Sequence, residues 1–208
     1  MKCIKPIPEN IWDTLIKQNG KHSPQTVYSS KRSTITKADL FFLKTYSEQY
    51  SDEALNERTS LFNLQGKPYV PKLYAYDNLS ILGEWIDGYS LNGYRMLYKK
   101  TPVDFIQQYY FIKKDMLSAG FFEFDSKPFE HFIWESEYAS IPKKIDYGHS
   151  LNFDPKQHKF TVEQFERELN ALRARDQSEI SDLRQKFLMW GVTNEELDIM
   201  LPTFLNSL

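Results

Sequence analysis

The chain is 208 residues long and contains a single cysteine, Cys3, so no disulfide can form within it. That thiol has no base nearby in sequence and carries no argument for reactivity. No stretch approaches the roughly 18 to 20 apolar residues needed to cross a bilayer. The opening "MKCIKPIPEN" also lacks the apolar run of a signal peptide, so a cytoplasmic location and at most a peripheral membrane role are expected. Net charge is scarce as well: 26 basic residues stand against 28 acidic ones, a formal charge of -2, so no global field draws nucleic acid or an anionic membrane. Glycine is sparse where a phosphate loop would need it, since of eight glycines only Gly20 precedes Lys44. The stretch "NGKHS" is not a P-loop, because the position five before Gly20 is Leu15. His22, His149 and His158 show no paired spacing of the kind that holds zinc, and no internal repeat or low-complexity tract is present.

What the chain does have is apolar and aromatic mass, 41% and 15% of residues, enough for one substantial core or two small lobes. "PENIWDTLIKQNG" reads as a short helix stopped by Gly20. "TVYSS" and "DLFFLKTYS" have strand composition with a polar connection between them. "SDEALNERTSLFNLQG" predicts a helix capped by Ser51, with Leu55, Leu61 and Leu64 on its apolar side and Gly66 at its end. "YVPKLYAYDN" and "LSILGEWI" predict two strands joined at Asp77 and Asn78. Thereafter helices dominate. "TPVDFIQQYYFIKKDMLSAG" predicts a buried helix with Thr101 as N-cap, Pro102 at its first position and Gly120 beyond its end; Tyr109, Tyr110 and Phe111 belong to the core. Capping boxes at Thr161/Gln164 and Thr193/Glu196 mark further helices, with Phe165, Leu169, Leu172, Ile180 and Leu183 facing inward. Their charged outer face also offers a homodimer contact. Strands with one helix first, mostly helices after, predict a bilobal α+β chain divided into residues 1–86 and 87–208, with a ligand between the lobes.

Several polar residues fall at informative positions. Lys44 lies within an apolar strand, where a cation needs a partner or a face that leaves it in a cleft; Glu57, in the next helix, is a candidate partner. "AGFFEFDSKPFEHFIWE" carries Asp125, Lys127 and Glu130, and "KKIDYG" carries Asp146. Three carboxylates at strand ends near a lysine and glutamate would let divalent cations hold phosphates while one carboxylate orients an attacking hydroxyl.

The order of these motifs, from about residue 40 to residue 148, resembles the protein kinase superfamily. "FFLK" is similar to the strand that carries the nucleotide lysine, and Glu57 to its helix partner. "LGEWIDGYSL" resembles the hinge, "AGFFEFDSKPFEHFIW" the catalytic loop, and "KKIDYG" the metal-binding Asp-Phe-Gly motif with Tyr147 in place of phenylalanine. The resemblance implies a kinase-like fold with a small β-rich N-lobe and a reduced helical C-lobe. It implies ATP and Mg²⁺ or Mn²⁺ as cofactors, with transfer to a hydroxyl of a protein or small-molecule substrate. By that resemblance Lys44 holds the α and β phosphates, Glu57 orients Lys44, and Glu84, Trp85 and Ile86 face the adenine. Asp125 orients the acceptor, Lys127 neutralises the γ-phosphate, and Asp146 and Glu130 bind metal.

The chain departs from the family pattern in three places. It has no Gly-rich loop, Glu123 stands where histidine is usual, and Glu130 stands where the metal-binding asparagine is usual, with His131 a neighbouring substitute. No Ala-Pro-Glu segment or peptide-docking subdomain follows Gly148, so the chain is similar in economy to the RIO kinases and the bacterial lipopolysaccharide kinases. Three readings follow from these features: an atypical compact kinase of serine/threonine type, or one acting on sugars or small molecules; a catalytically silent pseudokinase; and an unrelated α+β binding protein.

Overall fold

The computed structural model describes residues 1–17, 24–123, 127–152 and 159–208. The chain forms two compact units. The first is built on Met1–Gly88 and takes in Lys143–Asn152; the second is built on Tyr89–Phe122 and the C-terminal helices. No described helix is long and apolar enough to cross a membrane.

The first unit is an antiparallel sheet flanked by two helices. Its strands are β1 (Lys2–Cys3), β2 (Gln25–Ser29), β3 (Ser33–Ala38), β4 (Phe41–Tyr46), β5 (Leu73–Tyr76) and β6 (Ser80–Glu84), in the order β1-β5-β6-β4-β3-β2. β4 is central, pairing Lys44 with Ile35 of β3 on one side and with Ile81 of β6 on the other. Strand alternation then divides its side chains. Phe41 and Leu43 pack against the cluster of Ile11, Leu15, Ala75 and Leu82, to which helix α1 (Glu9–Leu15) contributes. Lys44 and Tyr46 face the other way, toward α2 (Ser51–Asn63), where both reach Glu57. The β5–β6 turn forms as the sequence predicts, with Asp77 Oδ1 accepting from the amides of Leu79 and Ser80 at 3.0 and 2.7 Å.

Three features of this unit differ from the sequence expectations, and a fourth expectation falls outside the described residues. The connection between the two predicted strands is itself the strand β3, because the β-branched Thr34, Ile35 and Thr36 extend between β2 and β4. Ser51 is the first helical residue of α2 rather than its cap; Tyr50 holds the cap position without a side-chain bond. Leu55 is exposed, whereas Leu61 and Leu64 are buried. Gly20, the predicted helix stop, lies outside the described residues, as do His22 and His158.

The second unit centres on α4 (Phe105–Ser118), which follows β7 (Tyr89–Ser90) and α3 (Leu91–Tyr98). β8 (Phe121–Glu123), the short α5 (Pro128–His131) and β9 (Phe132–Trp134) come next, and β9 pairs antiparallel with β7. Helices α6 (Lys159–Arg173), α7 (Gln177–Met189) and α8 (Asn194–Ser207) complete it. The core is aromatic. Phe105 lies 5.7 Å from Trp134 and 5.5 Å from Phe187 between ring centroids, and Tyr110 stacks on Phe204 at 4.8 Å. The Trp134 indole donates to Gln108 Oε1 at 3.1 Å, so the buried ring keeps its polar handle satisfied.

Tyr109 and Tyr110 are buried as expected, but Phe111 is exposed because it falls on the outer side of α4. Phe165, Leu169, Leu172 and Leu183 face inward, while Ile180 is only half-buried. The predicted caps fare unevenly. Thr193 and Glu196 form the reciprocal capping box of α8. Thr161 lies inside α6, which begins at Lys159, so it caps nothing. Thr101 is likewise no cap: its amide donates to Glu196 Oε1 at 2.5 Å, and Asp104 holds the position before α4. The helix α3 had no forecast in the pattern, Gly93 and the exposed Met96 and Leu97 having hidden it.

Candidate functional site

The first unit gathers Lys44, Glu57 and Asp146 around one ammonium. Lys44 Nζ lies 2.8 Å from Glu57 Oε2 and 3.0 Å from Asp146 Oδ1. Three separate elements meet there: β4 supplies the lysine, the middle of α2 the glutamate, and the segment between β10 (Lys143–Lys144) and β11 (Ser150–Asn152) the aspartate. The members differ in exposure. The Lys44 and Glu57 side chains are 8% and 4% exposed and that of Asp146 is 41%. The arrangement is thus a buried ion pair whose open side carries a second carboxylate.

Burial by itself lowers the Lys44 pKa, but the charges of Glu57 and then Asp146 outweigh it and hold the value well above the ordinary lysine range. Lys44 is therefore a fixed cation at neutral pH. The Tyr46 hydroxyl donates to the same Glu57 oxygen, and the Tyr46 ring lies 4.8 Å beneath the Lys44 ammonium. Burial first, then the Glu57 charge, push the Tyr46 pKa far above its ordinary value, so the hydroxyl stays protonated and donates. Glu57 also reaches the Asp146 segment through its second oxygen, which accepts from the Tyr147 amide at 3.4 Å. Asn56 Nδ2 donates to the Gly148 carbonyl at 3.5 Å. A Cβ on Gly148 would stand 3.1 Å from the Tyr46 hydroxyl, so the close approach of this segment to β4 favours glycine there.

Glu84, Trp85 and Ile86 lie at and just beyond the end of β6, beside β4. Their groups have partners within the sheet. Glu84 bonds Lys72 through the ammonium at 2.9 Å and the amide at 3.1 Å. Burial raises the Glu84 pKa, and the Lys72 hydrogen bonds and charge more than reverse it, leaving the value below the usual glutamate range. The Trp85 amide donates to the Leu40 carbonyl at 2.8 Å, and its ring lies 4.6 Å from the Lys37 ammonium. Ile86 is half-buried. At Gly83, a Cβ would stand 2.5 Å from the Phe42 ring, which occupies that space.

Lys127 and Glu130 stand on the second unit, at the start of α5, and both are exposed. Glu130 is therefore helical rather than at a strand end; Pro128 fixes the first helical position and the Glu130 and His131 amides both return to the Lys127 carbonyl. Asp125 lies outside the described residues. Among the described residues no three His, Cys, Asp or Glu side chains gather as a metal site. As a hard, partly exposed oxygen donor, the Asp146 carboxylate fits a divalent cation shared with phosphate oxygens and water.

Sequence reasoning missed Tyr46, Lys144 and the contact of Arg32 Nη1 with His149 Nε2 at 3.2 Å. Tyr46 was open to it, since a residue two past Lys44 shares its face.

The α+β architecture, an antiparallel sheet with helices, is consistent with a protein-kinase-like fold. No family model matches the sequence, and no curated protein matches it. Solved structures do match: a high-resolution structure of WbdD aligns with a TM-score of 0.51 at 13% identity, covering 69% of this chain and 36% of that one. A medium-resolution structure of WbdD, named there a bifunctional kinase-methyltransferase, aligns at TM-score 0.47 and 14% identity over 64% of this chain and 33% of that one. The chain thus spans about a third of the length of the WbdD chains it matches, and what it shares with the first of them is the fold.

Proposed function

We propose that the protein is an ATP-dependent phosphotransferase that moves a γ-phosphate to a hydroxyl, as a compact kinase of serine/threonine type or one acting on a sugar or small molecule. The observation that carries this reading is the junction of Lys44, Glu57 and Asp146. A buried lysine kept charged by one buried glutamate, with a more exposed aspartate on its open side, suits binding and orienting phosphate oxygens. Phosphoryl transfer needs mainly positioning and charge neutralisation.

In this reading Lys44 binds the α and β phosphates, Glu57 and Tyr46 fix its direction, and Asp146 holds the Mg²⁺ or Mn²⁺. The cation, when bound, neutralises charge on the phosphates. Glu84, Trp85 and Ile86 border the adenine, Asp125 orients the acceptor hydroxyl, Lys127 offsets charge on the γ-phosphate, and Glu130 is the candidate for a second cation. The test is transfer of label from γ-labelled ATP to a panel of protein and carbohydrate acceptors with Mg²⁺ or Mn²⁺. Label should appear with the unaltered chain and vanish in Asp125→Ala and Asp146→Asn.

A second reading, a catalytically silent nucleotide-binding module, is favoured by one observation, Glu130 in the position where the kinase resemblance expects a metal-binding asparagine. Metal-dependent nucleotide binding without transfer to any acceptor would select it.

A further inference from the structure

Lys144, two residues before Asp146, is 1% exposed, which is rare for a lysine. A buried ammonium must find acceptors, and the Lys144 side chain folds back over the chain that follows it. Its Nζ donates to the Ile145 carbonyl at 3.3 Å and the Asp146 carbonyl at 3.4 Å, and lies 4.2 Å from the Tyr147 ring centroid. The Lys144 amide is itself anchored to the Tyr69 carbonyl at 2.7 Å. Asp146 has φ +57°, in the left-handed region that disfavours residues with a Cβ, aspartate and asparagine less than others. In this conformation the Asp146 carboxylate meets Lys44 and the next amide meets Glu57.

We propose that Lys144 is a positioning residue for Asp146: its buried ammonium clasps the two carbonyls and the Tyr147 ring, and so holds the aspartate in the left-handed turn that presents it to Lys44. A charged donor gathers two carbonyls that a relaxed chain would point apart, which offsets the unfavourable φ. The Tyr147 ring adds a cation–π contact to the same ammonium. What the held carboxylate is for rests on the phosphotransferase reading; the clasp itself does not. If Lys144 is removed, Asp146 is in its competent conformation for a smaller fraction of the time, and apparent affinity falls by that fraction.

The experiment compares Lys144→Met with the unaltered chain by site-resolved hydrogen exchange without nucleotide, and by titration with Mg²⁺-ADP. The Tyr147 amide should exchange about tenfold faster in Lys144→Met, with amides of β4 and α2 as before. Mg²⁺-ADP should bind about tenfold more weakly, and Lys144→Arg, which keeps the cation, should recover part of both. Unchanged exchange at Tyr147, or acceleration spread equally over β4 and α2, overturns the proposal, the latter because it marks a core lysine with no positioning role. Should Lys144→Met fail to fold, ¹⁵N-lysine labelling of the unaltered chain decides. A solvent-protected Lys144 ammonium signal is expected, and one that exchanges like exposed lysines overturns the clasp. A chain with the expected Tyr147 behaviour that no nucleotide stabilises keeps the clasp and overturns the phosphotransferase reading.

Discussion

Glu57→Gln and Asp146→Asn remove one charge each from the same ammonium, yet the structure predicts very different costs. The Lys44 and Glu57 side chains are 8% and 4% exposed, so both ends of that pair are desolvated. Removing one partner of a buried pair costs about 3 to 5 kcal/mol, because the remaining charge stays buried. Asp146 is still 3.0 Å from Lys44 and offsets part of this, so the lower end, about 3 kcal/mol, is expected for Glu57→Gln. Asp146 is 41% exposed, and a pair open to water is worth about 0 to 1 kcal/mol; asparagine also tolerates the left-handed φ. For a chain of this length 1 kcal/mol corresponds to about 2 to 4 °C of melting temperature. Glu57→Gln should thus melt about 6 to 12 °C lower and Asp146→Asn within about 4 °C of the unaltered chain. Thermal unfolding at neutral pH without nucleotide measures both. Equal shifts, or a larger one for Asp146→Asn, would refute the claim that the buried pair is structural and the exposed carboxylate is kept for a ligand.

Three further outcomes follow from the geometry. Gly83→Ala places a Cβ 2.5 Å from the Phe42 ring, so the ring must shift; chemical denaturation should show a loss of about 1 to 3 kcal/mol. Thr193→Ala removes one half of the α8 capping box and should cost about 1 kcal/mol by the same assay. The Glu84 pKa is lower in the folded chain than the ordinary 4.5, so its contribution to stability is present above that value and is lost as pH falls through the folded value. Replacing its partner, in Lys72→Met, should flatten that part of the acid limb in a stability-versus-pH series.

Much of the first unit was legible because β4 states its own alternation. Phe41 and Leu43 require an apolar partner, Lys44 requires a charged one, and period two separates the two faces. The Asp77 turn and the Thr193/Glu196 cap were legible for the same reason, each being a local bond between near neighbours. β3 was missed because Ser33–Ala38 is half-buried over most of its length, so it shows no apolar stripe, and only its β-branched residues mark it. Thr101 misled because it has the right residue type for a cap, while its amide serves Glu196, 95 residues away.

The candidate site divides in the same way. Lys44, Glu57 and Asp146 could be named from motif order, but only the fold shows that one glutamate oxygen takes both Lys44 and Tyr46 while the other meets the Tyr147 amide. Lys143 and Lys144 read as an indistinguishable pair. In the structure Lys143 bonds the Pro68 carbonyl at the surface, and Lys144 turns inward beneath Tyr147. Which of two adjacent lysines is buried depends on how the rest of the fold covers this segment, which composition does not record.

In the proposed function the Lys44 junction binds a nucleotide together with a divalent cation. The most direct measurement is thermal unfolding of the unaltered chain with ATP, ADP and GTP, each with Mg²⁺, with Mn²⁺ and with chelator, since a ligand that binds only the folded state raises its apparent stability. A rise is expected with an adenine nucleotide, requiring the metal and lost in Lys44→Met and in Asp146→Asn. An unchanged melting temperature across the whole panel would contradict that function.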